Sequence, residues 1–146
     1  MQKRLVVVTV AAVCAVAGAC SSKPTDSPQP PGSLAPMTAQ VTVNGQSGGT
    51  TRAVECTQDG WTHTIKTGDD KSGVTVVVDT GGTVTARSVV ITNVGDFTGS
   101  VWGTQIGKAN ATMIGTTFRV NGTAQGANNA NPNQPATANF EVKANC

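Results

Sequence analysis

Aromatic side chains are scarce in this 146-residue chain, which has three Phe, two Trp and no Tyr, 3% of its residues. Charged residues make up only 12%. A helical bundle needs Glu, Lys and Arg on its surface, and a nucleic-acid binder needs clustered Lys/Arg and usually stacking aromatics, so neither class fits. There is one His and no G-x-S-x-G motif. One His cannot complete the three or four N/S ligands of a zinc site, and nucleophilic catalysis needs a base beside its Ser or Cys. His63 alternates with Trp61 and Ile65, which places it at the edge of a core. Glycoside hydrolysis requires paired carboxylates, but Asp59, Asp69, Asp70, Asp79 and Asp96 sit mostly in Gly-containing turns, where Asp serves turn geometry. Asp69-Asp70 with Asp79 suggests Ca²⁺ but lacks EF-hand spacing. The expectation is a protein with no catalytic residues, no metal, no cofactor and no nucleic-acid partner.

Also missing is an apolar run of the about 20 residues that cross a bilayer. The nearest approach, residues 5–16, follows Lys3 and Arg4 and precedes Ala17-Gly18-Ala19, the order of an export signal. The next residue is Cys20, and Ala17-Gly18-Ala19-Cys20 resembles the bacterial lipobox, in which the Cys receives a diacylglyceryl group and becomes the acylated first residue. The alternative is a soluble secreted protein cut near Ala19 with Cys20 free. Removing residues 1–19 takes away Lys3 and Arg4, so ten cationic residues become eight, equal to the eight acidic ones. Acyl chains, at about 0.8 kcal/mol per buried CH₂, hold a protein on a membrane without a basic patch. The expected location is the extracytoplasmic face of the cell membrane, with the membrane itself as a partner.

Residues 20–37 form the expected linker, carrying Pro24, Pro28, Pro30, Pro31 and Pro36 and too little apolar content to bury a core. Thr25, Ser27, Ser33 and Thr38, beside these prolines, suit O-glycosylation of a stalk, against an unmodified linker as the other reading. From residue 38 to 146 the pattern turns to period two. Val41/Val43, Val74/Val76/Val78, Phe118/Val120 and Ala138/Phe140/Val142 make apolar lines. Between them come Asn44-Gly45, Asp59-Gly60, Gly81-Gly82, residues 93–95 and Asn121-Gly122 as turns. The pattern predicts one all-β antiparallel domain, a β-sandwich or an open half-barrel. Cys56 and Cys146 are the cysteines left after export, both in phase with inward neighbours, and an oxidising compartment makes a disulfide the expected pairing, against two free thiols or a metal site as the other reading.

Phe118-Arg119-Val120-Asn121-Gly122-Thr123-Ala124-Gln125-Gly126, then Ala130-Asn131-Pro132-Asn133-Gln134-Pro135 and Phe140-Glu141-Val142 closing on Cys146, resemble the mycobacterial nineteen-kilodalton lipoprotein antigen family. Val41-Thr42-Val43-Asn44-Gly45 and Val54-Glu55-Cys56 look like its opening strands. The resemblance implies an envelope lipoprotein with no catalytic residues, often glycosylated on its linker and recognised by host innate receptors through its acylated N-terminus. Two functions remain open. One is an anchored surface antigen or interaction protein. The other is a carrier of phospholipid or glycolipid acyl chains, because inward positions are mostly Val and Ala, with Phe97, Trp102, Met113, Ile114, Phe118 and Phe140 as larger fillers. In the carrier reading the cavity for envelope lipids lies beside Trp61, Ile91, Phe97, Trp102 and Ile114; the other reading of these residues is plain core.

Overall fold

A computed structural model describes residues 28–146. The expected export signal, Cys20, Thr25 and Ser27 lie outside the described residues. The ten strands are β1 (Thr38–Val43), β2 (Gln46–Thr51), β3 (Val54–Asp59), β4 (Thr62–Gly68), β5 (Gly73–Asp79), β6 (Thr85–Val94), β7 (Phe97–Trp102), β8 (Lys108–Ile114), β9 (Thr117–Asn128) and β10 (Pro135–Asn145). No helix occurs among the described residues. Every strand pairing is antiparallel, in the order β2-β1-β10-β9-β7-β6-β5-β4-β3. β8 pairs with β9 beside this path.

That order forces the sheet to roll up. β2 and β3 stand at opposite ends of the path. Eight inter-strand steps of about 4.8 Å would separate the edges of a flat sheet by about 38 Å. The chain between Thr51 and Val54, however, spans at most roughly 11 Å. The sheet therefore curls into a nearly closed antiparallel barrel, the half-barrel of the two expected architectures. The Cys56–Cys146 disulfide, with Cα atoms 5.9 Å apart, ties β3 to the end of β10 across the seam.

One face of each long strand fills the roll. Val41/Val43, Ile65, Val74/Val76/Val78, Val89/Ile91, Val101, Phe118/Val120 and Ala138/Phe140/Val142 are buried, as the period-two lines predict. Asn44-Gly45 makes the two-residue β1–β2 hairpin with positive φ at both positions, the geometry for which Asn-Gly is suited. Asn121-Gly122, expected as a turn, lies inside β9 instead. Here β9 changes partner, from β8 along residues 117–123 to β7 along 125–128. A Cβ on Gly122 would stand 1.9 Å from the Lys108 carbonyl oxygen, so this glycine serves a close backbone approach rather than a bend.

The ordered domain also starts earlier than residue 38. The Leu34 amide donates to Thr117 Oγ1 at 2.9 Å, and Asn145 Nδ2 donates to the Leu34 carbonyl at 2.6 Å. Thr117 and Asn145 are fully buried. The linker backbone thus supplies the partners that these buried polar side chains require. Pro30 lies against Gly115, and Gly32 against Ile114.

Two outcomes are expected in denaturant unfolding. Replacing both Cys56 and Cys146 by Ser opens a loop of 90 residues, and loop-closure entropy sets the expected loss at about 4–5 kcal/mol. Asn145→Ala strands the Leu34 carbonyl and is expected to cost about 1–3 kcal/mol. An unchanged midpoint would remove the clamp from the list of stabilising contacts.

Candidate functional site

The proposed cavity residues are not brought together. Ile91 and Phe97 are fully buried and fill the roll, whereas Trp61 is 69% and Trp102 52% exposed. Ile114 is half-buried at the end of β8, against the Gly32 segment. The physical reason is strand phase. Val101 points inward, so its neighbour Trp102 points out, and Trp61 stands in the turn beyond the first inward position of β4. Met113, expected among the core fillers, is likewise exposed. The interior is occupied by Val and Ala with Ile65, Ile91 and three Phe.

Depressions lie on the outside instead. The larger, of about 680 Å³, opens beside Trp61 and is walled by Asp79, Gly81, Gly82, Thr83 and Arg87. The β3–β4 hairpin brings Trp61 and the β5–β6 turn brings Gly81. Thr80 joins them, its amide and hydroxyl both donating to the Trp61 carbonyl, at 2.8 and 3.0 Å. The indole rests on Gly81, where a Cβ would come within 3.1 Å of the ring. Arg87 donates to Asp79 Oδ2 through Nε at 3.0 Å and again through Nη2, and Gly81 donates its amide to Asp79 Oδ1 at 2.9 Å. The Gly81 amide, and after it the Arg87 hydrogen bond, hold the Asp79 carboxyl below its ordinary range. Sequence reasoning missed Arg87 and Gly81. The available signal was a Trp directly after Asp59-Gly60, since a turn exposes what it carries.

A second depression, of about 300 Å³, is mainly apolar and lies along the seam. The Cys56–Cys146 bridge, Met113 and Phe118 form it, and His63 tilts against the Phe118 ring at a centroid distance of 5.0 Å. His63 is therefore a packing residue at the core edge, as its strand phase predicts. Among the described residues, no three His, Cys, Asp or Glu side chains come together as a metal site would need. Asp69 and Asp79 flank opposite ends of β5, about 20 Å apart at strand rise. Asp69 Oδ1 accepts from the Lys71 and Ser72 amides, at 2.8 and 2.9 Å, which lowers its pKa within a closed turn. On β10, burial raises the Glu141 pKa, but Arg119 and Lys143 outweigh it and the net shift is downward. Of the candidate glycosylation sites, Ser33 is half-exposed, its hydroxyl donating to the Pro30 carbonyl at 2.6 Å. Thr38 is a correction: it is 4% exposed and its hydroxyl donates to the Ala35 carbonyl, so no sugar fits there in the folded domain.

Comparison with known proteins matches residues 32–146 to the family described as Mycobacterium 19 kDa lipoprotein antigen. The match begins two residues before Leu34, in keeping with the clamp described above. The chain is 38% identical to a candidate lipoprotein of Mycobacterium indicus pranii, over the whole of both chains. It is 33% identical to lipoprotein LpqH of Mycobacterium avium, over 73% of this chain and 67% of that one. To lipoprotein LpqH of Mycobacterium tuberculosis it is 32% identical, over 73% and 68%.

The lowered carboxyl groups predict an acid limb. A carboxyl with a folded-state pKa below its unfolded value stabilises the fold fully above the unfolded value, and loses that contribution as pH falls through the folded one. The midpoint of thermal unfolding is expected to fall as pH drops below about 4. The fall should be shallower in Glu141→Gln. An identical acid limb in that variant would show that the Arg119–Glu141–Lys143 cluster contributes nothing.

Proposed function

The chain belongs to the mycobacterial 19 kDa lipoprotein antigen family, and from there we propose a non-catalytic envelope lipoprotein that displays its β domain from a membrane anchor. Family membership makes it a membrane-associated envelope protein. The anchor in this reading is a diacylglyceryl group on Cys20, on the extracytoplasmic face. Export with residues 1–19 removed leaves the acylated N-terminus as the feature that host innate receptors meet. Thr25, Ser27 and Ser33 are the positions for sugar on the linker.

One-sided attachment is the observation that carries this reading. Strand register puts Thr38, Thr117 and Asn145 in line at one end of the roll. The Leu34 clamp joins the linker to that same end. The opposite end carries the Asn44-Gly45 and Gly95-Asp96 turns and the 129–134 loop. Asn side chains knit this end together. Asn129 Nδ2 donates to Asn93 Oδ1 at 2.5 Å, and the Asn139 amide donates to Asn44 Oδ1 at 3.1 Å. A domain held at its clamped end presents this fixed polar end outward. The carrier reading draws no support from the interior, where Ile91 and Phe97 stand in the space an acyl chain would need.

Cys20→Ala, expressed in the native host, tests the anchor. The variant is expected to leave the membrane fraction and appear soluble with its unfolding midpoint unchanged. Retention in the detergent phase alongside the unaltered protein would overturn the reading.

A further inference from the structure

The chain has two Trp, and both stand in solvent. Exposed indoles are unusual in a domain that buries its other aromatic side chains, because a large apolar face left in water is disfavoured unless something covers it. Trp61 is moreover held in place. Thr80 donates twice to its carbonyl, and the ring lies on Gly81, which leaves the other face of the indole free. Beside it stand an acceptor and a donor that fix each other, Asp79 and Arg87. The Arg87 side chain is 62% exposed, and the guanidinium has N–H groups that the bonds to Asp79 do not use. The glycines of the β5–β6 turn keep the floor of the depression free of side chains.

We propose that this depression is a binding site for a neutral carbohydrate, with Trp61 as the stacking platform and Arg87 and Asp79 as the hydroxyl-binding pair. The chemistry selects the ligand. A pyranose or furanose ring offers a C–H face that packs on an indole, and a rim of hydroxyls that both donate and accept. Arg87 is neutralised by Asp79, so the depression carries no net charge for a phosphate or sulfate to recognise. An acyl chain would cover the remaining N–H groups of Arg87 without offering them an acceptor, a cost that the apolar face of one indole does not offset. The inference stands on side chains of the folded domain and does not depend on acylation of Cys20.

The test uses the full-length protein in detergent, titrated by calorimetry with neutral tetrasaccharides of glucose, mannose, galactose and arabinose. Vesicles of phosphatidylcholine with and without a galactosyl diacylglycerol run in parallel. Saturable binding of at least one free tetrasaccharide is expected. Trp61→Ala should weaken it at least ten-fold and Arg87→Met several-fold, each with an unchanged unfolding midpoint. If Trp61→Ala fails to fold, Gly81→Ala replaces it, since the added Cβ displaces the indole while keeping it. No binding of any tetrasaccharide at 10 mM, or binding that these variants leave unaltered, overturns the proposal. So does binding confined to the glycolipid vesicles, which would make the lipid and not the sugar the recognised part. Preferential binding of an unglycosylated peptide over every sugar would overturn it as well.

Discussion

Everything in this domain depends on closing the sheet. β2 and β3 are consecutive in the chain but lie at the two ends of the strand order. Two residues join them, so the sheet has no flat alternative. Small inward side chains suit this, because a tight roll leaves little radius and Val and Ala take up little of it. The disulfide acts on the same seam. It holds the short, mostly exposed β3 against the end of β10, where the strand would otherwise have β4 as its only partner in the sheet. At the other edge β2, Gln-Ser-Gly-Gly-Thr-Thr, offers no apolar surface to a passing strand. That composition suits an edge that must not pair with a second molecule.

A filled roll pushes function outward. With Ile91 and Phe97 in the middle, chemistry is left to the surfaces, and these are not equivalent. One end takes the linker through Leu34 and also carries the Trp61 and Gly81 turns of the depression, the other carries the Asn-knit turns, and the wall between them holds the charged groups of β9 and β10. The exposed ion pairs stay in water and add little to stability. Their part is positional: Asp79 fixes the direction of Arg87, and Arg119 with Lys143 fixes Glu141.

Much of this was legible in the sequence, for a physical reason. Half-buried strands alternate, so every strand with one face in the roll announces itself, as Val74, Val76 and Val78 do. The cysteine pair was legible because the expected export removes Cys14 and acylates Cys20, which leaves Cys56 and Cys146. The misread positions share a cause, the use of residue type where strand phase should decide. Trp61 and Trp102 are apolar and therefore looked inward, although Val101 already occupied the inward position next to Trp102. Asn121-Gly122 has turn chemistry, but β9 needs a residue without a Cβ where its neighbour changes from β8 to β7. Backbone crowding of that kind comes from distant segments and leaves no local signal. The clamp at Leu34 was hidden for the same reason, since its partners lie 83 and 111 residues away.

The charge balance bears on how such a domain can be displayed. Residues 20–146 carry eight cationic and eight acidic side chains, Lys3 and Arg4 lying before them. An anionic membrane surface attracts a basic segment with about 1 kcal/mol per Lys or Arg. A domain with no net charge feels almost none of that pull beyond a Debye length of about 8 Å. A basic domain on a lipid anchor would lie down on the bilayer and bury its outward turns. A neutral one is free to stand off, with its direction set by the place where the linker is clamped. On the proposed anchor, neutrality and the Leu34 clamp would act together, the first leaving the domain free of the surface and the second setting which end points away.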